Sequence, residues 1–95
     1  MRFRGIDLNL LVVLEALLEE KSVSTAARRL HRSQSAISGS LARLRDHFQD
    51  PLLAPLGHRL VLTSFGERLV EPVQSLMRQI GETADLGASF DPATS

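Results

Sequence analysis

Residues 23–44, VSTAARRLHRSQSAISGSLARL, constrain the fold more than any other stretch, because they predict two short helices joined by a tight turn. The first helix is expected to begin at Ser22 or Ser24, since either hydroxyl can accept a hydrogen bond from a free backbone N–H. Ala26 and Ala27 follow, and side chains this small allow a second helix to cross closely. The pattern predicts a helix-turn-helix at residues 23–42.

The turn and the second helix carry signals of their own. His31 stands where such motifs often have glycine, and histidine tolerates a left-handed backbone better than β-branched residues do. Ser33 can then cap the second helix. Apolar residues recur from there at helical spacing and predict one buried stripe, formed by Ile37, Leu41, Leu44 and Phe48.

The opposite face of the second helix carries mostly short side chains, at Ser35, Ser38, Gly39 and Ala42, together with Arg43 and, at its edge near the N-terminus, Gln34. A surface helix without a partner usually presents long Glu and Lys side chains. A helix that enters the DNA major groove instead needs short side chains, which let its backbone approach the bases. The alternative is a solvated helix face, and the neighbouring Ala-Ala helix and turn make that alternative less favoured.

The chain resembles the DNA-binding region of the LysR-type transcriptional regulators over most of residues 6–80. The resemblance lies in motifs that occur in the family's order and spacing: Asp7-Leu8-Asn9-Leu10-Leu11, then Ala26-Ala27-x-x-Leu30-x-x-Ser33-Gln34-Ser35-Ala36-Ile37-Ser38, then Leu60-Val61-Leu62-Thr63. Within the family it is similar to the nodulation and aromatic-catabolism regulators, through Arg4-Gly5-x-Asp7-Leu8 and Glu71-Pro72-Val73. The resemblance implies a mainly α-helical winged helix-turn-helix, with three helices and a small β-hairpin wing, followed by a long linker helix.

Composition excludes several other classes of function. The 95 residues are 43% apolar and 23% charged, as in one small globular domain, and they include no cysteine. The three histidines show no metal-ligand spacing, so we predict neither a metal nor a cofactor. No catalytic motif connects the scattered Ser and His residues, and an enzyme is therefore not expected. Residues 8–18 are too short to span a membrane and are interrupted by Glu15, which favours a cytoplasmic protein.

The net charge of zero conceals an uneven distribution. Residues 28–59 carry +4 and the remainder −4, and the six arginines of the basic segment are Arg28, Arg29, Arg32, Arg43, Arg45 and Arg59. A basic patch on a neutral domain is enough to contact DNA phosphates.

The segments on either side of the helix-turn-helix predict a helix and a wing. Residues 8–20 form an expected first helix with Asp7 as its N-cap and apolar residues on two faces. Leu53-Ala54 and Leu60-Val61-Leu62 are expected strands, with residues 55–58 in and around their turn. Arg59 is the candidate for a wing contact in or beside the minor groove. The alternative is that the hairpin only covers the core and that Arg59 is solvated. The family usually has another arginine on the first wing strand, where this chain has Ala54-Pro55-Leu56.

A last helix is predicted at residues 64–84, capped by Thr63 or by a Ser64–Glu67 capping box. Its apolar seam resembles one that pairs two helices and consists of Phe65, Leu69, Val73, Leu76 and Ile80. We interpret the seam as a homodimer interface; the alternative is core packing within one chain. Residues 85–95 are interpreted as a linker. The resemblance implies an effector-binding domain beyond them, a tetramer in full-length proteins, and RNA polymerase as a further partner.

The favoured function is sequence-specific binding of double-stranded DNA for transcriptional regulation, on a winged helix-turn-helix domain at residues 6–63. The predicted DNA-binding residues are Ser24, Arg32, Ser33, Gln34, Ser35, Ser38, Gly39, Ala42, Arg43 and Arg59. Ser33 and nearby N–H groups would hold phosphates, and Gln34 would approach base edges. The family usually has a longer polar residue at the position of Gly39. The alternative function is a helical protein-interaction module without a DNA role.

Overall fold

Three helices, a β-hairpin and a long fourth helix follow one another along the chain in the computed structural model. The structure describes residues 2–3 and 5–89, with the side chains of residues 5–86. Its elements are β1 (Arg2–Phe3), β2 (Ile6–Asp7), α1 (Leu8–Glu20), α2 (Val23–Leu30), α3 (Gln34–Phe48), β3 (Leu53–Leu56), β4 (Arg59–Leu62) and α4 (Ser64–Ser89). The predicted winged helix-turn-helix is confirmed. The short antiparallel pair β1–β2 was not predicted.

Each of the first three helices begins at a side-chain cap that the sequence predicts. The Asp7 carboxylate accepts a hydrogen bond from the Leu10 N–H at 2.8 Å. The Ser22 hydroxyl accepts from the Thr25 N–H at 3.1 Å, which selects Ser22 over Ser24 as the cap of α2. The Ser33 hydroxyl accepts from the Ala36 N–H at 3.1 Å. These caps satisfy N–H groups that would otherwise lack a partner in the first turn of each helix.

The same three helices each end in a left-handed residue that is not glycine. These residues are Lys21 (φ 54°), His31 (φ 55°) and Gln49 (φ 53°). His31 confirms the prediction for the turn of the helix-turn-helix. Its N–H lies 3.2 Å from the Arg28 carbonyl, and the Arg32 N–H donates to the Ala27 carbonyl at 2.9 Å. Both bonds satisfy carbonyl groups in the last turn of α2.

The core forms around α1, which is buried on two sides. Its fully buried residues include Val13, Leu14 and Leu17, at no more than 1% exposed. Ala26 and Ala27 of α2 are buried against it, and the predicted stripe of α3 supplies Ile37, Leu41 and Leu44 with Phe48 partly buried beside them. The second face of α1 packs on α4, where Val73 is only 6% exposed.

The β3–β4 hairpin is longer than predicted. Leu53 pairs with Leu62 and Leu56 with Arg59, so Pro55 and Leu56 belong to a strand and only residues 57–58 form the turn. Proline is tolerated here because a two-stranded sheet leaves an N–H position unpaired on each strand. Gly57 has φ 65°, which suits a two-residue hairpin turn.

The fourth helix starts after Thr63, whose hydroxyl accepts a hydrogen bond from the Gly66 N–H at 3.0 Å. This is the simpler of the two predicted caps. The helix continues to Ser89, beyond the predicted end at residue 84. Ala84, Leu86 and Ala88 are good helix formers, and they outweigh Gly87. The remaining residues of the predicted linker, 90–95, lie outside the described part. None of the described helices has the hydrophobicity over the length that a membrane span requires.

Candidate nucleic-acid interface

The outer face of α3 is exposed along its whole length. The predicted residues Gln34, Ser35, Ser38, Gly39, Ala42 and Arg43 all lie on this face and are exposed to solvent. A Cβ atom added at Gly39 would meet no atom within 4 Å. No other part of the described chain obstructs this face at Gly39, and its side chains are mostly short. A helix that inserts into a groove requires both properties.

A groove runs beside the first turn of α3 and connects it to the wing. Its volume is about 580 Å³, and its walls come from the start of α2, from Gln34 and from the wing turn. The lining residues are Lys21, Ser22, Val23, Ser24, Gln34, Pro55, Gly57, His58, Arg59 and Leu60. Three predicted binding residues that lie far apart in the sequence, Ser24, Gln34 and Arg59, therefore share one concave surface, which we call the α2–wing groove.

Two serine pairs lie at the N-termini of α2 and α3. The Ser22 and Ser24 hydroxyls are 3.1 Å apart, and the Ser33 and Ser35 hydroxyls are 3.2 Å apart. Within each pair one hydroxyl donates to the other, and the second hydroxyl proton remains available to an acceptor. Free N–H groups and the helix dipole also favour an anion at such positions. A phosphate oxygen has the acceptor chemistry that these two helix starts would recognise.

The six arginines of the basic segment have two kinds of surroundings in the structure. Arg28, Arg32, Arg43 and Arg59 are exposed. Arg29 is exposed as well, but it donates to Glu19 at 2.6 Å and to Glu20 at 3.1 Å, and its guanidinium also lies 3.7 Å from the Glu15 carboxylate. Arg45 donates to backbone carbonyls beside the wing. The sequence prediction of six arginines in one patch is therefore reduced to four, because the partners of two arginines come from other elements.

The pKa values of two groups in the cluster around Arg29 lie above their ordinary values. The hydrogen bond to Glu19 is the main cause that raises the pKa of Arg29 above its ordinary value, so this guanidinium stays charged. Burial is the main cause that raises the pKa of Glu15, and the nearby Glu19 carboxylate adds to it. Arg29 acts in the opposite direction but does not cancel the effect of burial. These ion pairs connect α2 to α1, and none of the four residues lines the α2–wing groove.

The predicted dimerisation seam divides into two parts. Val73 is buried in the core of the single chain, and Phe65 and Leu69 are partly buried against that core. In the single chain these three residues pack on the core, as the core-packing alternative expects. Leu76, at 40% exposed, and Ile80 are not part of that core, although the neighbouring Met77 packs against it. Leu76 and Ile80 line a shallow apolar groove with Ala84. Leu86 is 59% exposed further along the helix.

Besides the three predicted binding residues, the α2–wing groove is lined by two residues with basic side chains that were not predicted from the sequence. Lys21 brings a positive charge to its edge, and His58 lies at the wing turn. Lys21 could have been recognised, because it directly precedes the α2 cap on the side of Ser24. His58 could not, since its position depends on the turn of the hairpin. In the described part of the chain, no group of three or more potential metal ligands comes together.

Comparison with known proteins gives a consistent result. Residues 8–67 match the bacterial regulatory helix-turn-helix proteins of the lysR family. Nodulation protein D 2 of Bradyrhizobium diazoefficiens is 47% identical over 93 residues, which are 98% of this chain and 28% of that protein. Nodulation protein D 1 of Neorhizobium galegae is 48% identical over 80 residues, 84% of this chain and 26% of that protein. The chain thus spans less than a third of the length of these relatives.

Solved structures show the same fold. A probable transcriptional regulator from Pseudomonas aeruginosa superimposes with a TM-score of 0.78 at 41% identity, over 84% of this chain and 27% of that one. BenM DBD, in a complex with catB site 1 DNA, superimposes with a TM-score of 0.82, over 92% of this chain and 98% of that one. Its identity is 20%, so this second likeness concerns the fold alone.

Proposed function

Because the chain belongs to the LysR family of bacterial regulatory helix-turn-helix proteins, we propose that it binds double-stranded DNA sequence-specifically and thereby regulates transcription. In this proposal α3 is the recognition helix and enters the major groove, while the wing lies over the adjacent backbone or minor groove. The similarity to nodulation proteins, predicted from the sequence, is confirmed by the 47% identity.

The observation that carries the proposal is the shared groove between Gln34 and Arg59. Gln34 lies in the first turn of α3, where a side-chain amide can pair with the N6 and N7 atoms of adenine. Arg59 lies across the groove at the start of β4, where a guanidinium can contact a phosphate. A base-reading group and a backbone-binding group on one concave surface are the two requirements of specific DNA binding.

The other predicted residues take supporting roles around these two. Ser33 and Ser24 hold phosphates at the starts of α3 and α2. Ser35 and Ser38 face base edges from the exposed side of α3. Gly39 and Ala42 allow a close approach. Arg32, just before α3, and Arg43, in the second half of α3, add backbone contacts. Lys21, which was not predicted from the sequence, adds a charge to the groove. None of these side chains is buried.

The domains are proposed to act in pairs. We assign residues 6–63 to the DNA-binding domain and residues 64–84 to a dimerisation helix. Leu76 and Ile80 are the favoured contacts, since the first half of the predicted seam is already covered by α1. A longer protein would add an effector-binding domain, assembly to a tetramer and contact with RNA polymerase, all in the bacterial cytoplasm. An isologous dimer reads a site with matching twofold symmetry.

Selection of bound sequences from a pool of random duplexes tests the proposal. The expected result is an interrupted palindrome, with half-sites about one or two helical turns apart. Binding should also weaken steeply as salt is raised, because phosphate contacts release counterions. Recovery of no enriched sequence, together with no salt-sensitive binding to any duplex, would overturn the proposal and favour a protein-interaction module.

A further inference from the structure

The loop that joins α3 to the wing, residues 49–52, brings three elements together through one carboxylate. Asp50 Oδ2 accepts a hydrogen bond from the Leu52 N–H at 2.8 Å. The same oxygen accepts a hydrogen bond from the Thr63 hydroxyl at 2.6 Å. Leu52 immediately precedes β3, and Thr63 immediately precedes α4. One oxygen atom therefore fixes the start of the wing relative to the start of α4.

Thr63 extends this connection into both elements. Its hydroxyl donates to Asp50 and accepts from the Gly66 N–H at 3.0 Å, so the cap of α4 depends on the same group. Its backbone N–H donates to the Leu52 carbonyl at 2.9 Å. A Cβ atom at Gly66 would lie 2.7 Å from that carbonyl oxygen, which explains why glycine occupies the first turn of α4.

Arg45 holds the loop from the side of α3. Its guanidinium donates to the Pro51 carbonyl at 2.7 Å and to the Leu53 carbonyl at 3.0 Å. These two carbonyls flank Leu52, which is 1% exposed and has φ 65°. A left-handed leucine persists only where its surroundings determine the backbone. Here those surroundings are two hydrogen bonds that Arg45 donates, two that Asp50 accepts, and the close approach of Gly66.

The tip of the wing is exposed, while its strands rest on the core. Pro55, Leu56 and residues 57–59 are all exposed, with Leu56 at 60%. Leu53 and Leu62 pack on the core at the base of the hairpin, and the partly buried Leu60 packs on it next to Arg59. A displacement of the base is transmitted along the paired strands to the tip. The position of Arg59 therefore depends on the loop as well as on the contact that Leu60 makes with the core.

We infer that Asp50 is a positioning residue for DNA binding, which sets the place of the wing, and hence of Arg59, relative to the recognition helix. The inference rests on the proposed function. It assigns no DNA contact to Asp50 itself, whose negative charge would repel a phosphate. Because Thr63 shares its bond, Asp50 also couples the wing to the direction in which α4 leaves the domain.

A double-mutant cycle with Asp50→Ala and Arg59→Ala tests the inference. When Arg59 is present, Asp50→Ala should weaken DNA binding by roughly threefold to tenfold, about the contribution of one hydrogen bond, because the displaced Arg59 would lose its contact. In the Arg59→Ala background, Asp50→Ala should weaken DNA binding by less than about twofold, because the contact that Arg59 makes is already missing. Equal losses in both backgrounds would mean general destabilisation and would overturn the inference.

Matched variants separate positioning from folding. Asp50→Asn keeps an acceptor oxygen at the same place and should bind DNA within about twofold of the original chain. Thr63→Ser keeps the hydroxyl, whereas Thr63→Val removes it at nearly constant volume. If Asp50→Ala does not fold, the Thr63→Val and Arg59→Ala cycle replaces it, with the same expected dependence on Arg59 and the same overturning result.

Amide NMR spectra of the free protein test the inference without DNA. Asp50→Ala should shift the resonances of residues 53–62 and accelerate their hydrogen exchange, while those of α1 and α2 remain in place. Unchanged wing resonances would overturn the inference whatever the DNA result. If the original chain binds no duplex, the proposed function fails and these spectra still decide whether Asp50 places the wing.

Discussion

Gln34 and Arg59 line the same groove from opposite sides, although one begins the recognition helix and the other begins the second wing strand. The relationship depends on the α3–wing loop, which folds the hairpin back beside the N-terminus of α3. The loop places the neutral amide of Gln34, which suits base edges, and the cation of Arg59, which suits phosphate, on one concave surface. The two side chains should therefore contribute to binding in separable ways.

Replacement of Gln34 by alanine should reduce specificity. Affinity for the preferred duplex should fall by roughly 1–3 kcal/mol, with relaxed preference at one base position, because a bidentate amide–adenine pair would be lost. The measurement is titration against matched and scrambled duplexes. Ser40→Ala, a partly buried change on the same helix, serves as the control. An equal loss on both kinds of duplex would show that Gln34 does not read bases.

Replacement of Arg59 by alanine should weaken binding to all duplexes alike. If Arg59 contacts one phosphate, the slope of log K against log salt should become shallower by about one unit. Binding at several salt concentrations measures this. Arg68→Ala, exposed on α4, is the matched control and should leave the slope unchanged. A change in base preference without a change in slope would reverse the roles of Arg59 and Gln34.

Gly39→Ala should stabilise the domain. The position lies inside α3, and its added methyl group would meet no atom within 4 Å. The gain should be roughly 0.5–1 kcal/mol in the free energy of unfolding, as for other exposed glycines in helices. Gly81→Ala in α4 offers an equally open control. If Gly39 permits close approach to bases, its variant alone should also lose DNA affinity; retention of affinity would contradict that role.

The two halves of the α4 seam should respond differently to substitution. Leu76→Glu and Ile80→Glu should reduce the mass measured by light scattering to that of a monomer without unfolding it. Val73→Ala should instead lower the free energy of unfolding by about 1–3 kcal/mol, because the side chain is buried in the single chain. A monomeric mass for the original chain at high concentration and on DNA would contradict the proposed dimer.

Stability should depend on the ionisation of Glu15. Burial raises its pKa in the folded state above the ordinary value of 4.5, so folding favours the protonated form. The contribution is then complete below about pH 4.5 and is lost as pH rises through the raised pKa. Glu15→Gln should remove this dependence and equal or exceed the stability of the original chain at neutral pH. Urea unfolding across the acidic range measures it, with Glu82→Gln on exposed α4 as control. If Glu15→Gln instead lowered the free energy of unfolding more at neutral pH than at low pH, the contact of Glu15 with Arg29 would outweigh the effect of burial.

The sequence predicted what short-range chemistry determines. The caps at Asp7, Ser22 and Ser33 and the left-handed His31 depend on residues within one helical turn, and all were expected. The partners of Arg29 and Arg45 were not, since a guanidinium in an arginine-rich segment gives no sign of whether it will face solvent, a carboxylate or a carbonyl.

Packing between distant elements explains the other differences. The α4 seam has the same spacing whether its partner is α1 or a second chain, so the sequence could not divide it at Val73. The hairpin proved longer than expected because pairing with Arg59 and Leu60 overrides the turn preference of Pro55 and the residue after it. In both places the deciding contact lies outside the segment that was interpreted.

The left-handed helix ends have a consequence for thermal tolerance. A non-glycine residue in this conformation costs on the order of 1 kcal/mol, and the chain accepts that cost after α1, α2 and α3 alike. At His31 the backbone bonds of the turn are made by N–H and carbonyl groups that glycine would retain. His31 is exposed and lies outside the α2–wing groove. Replacement of His31 by glycine would remove this cost. A single substitution at a helix end should therefore raise the thermal stability of the domain and leave the surfaces assigned to DNA intact.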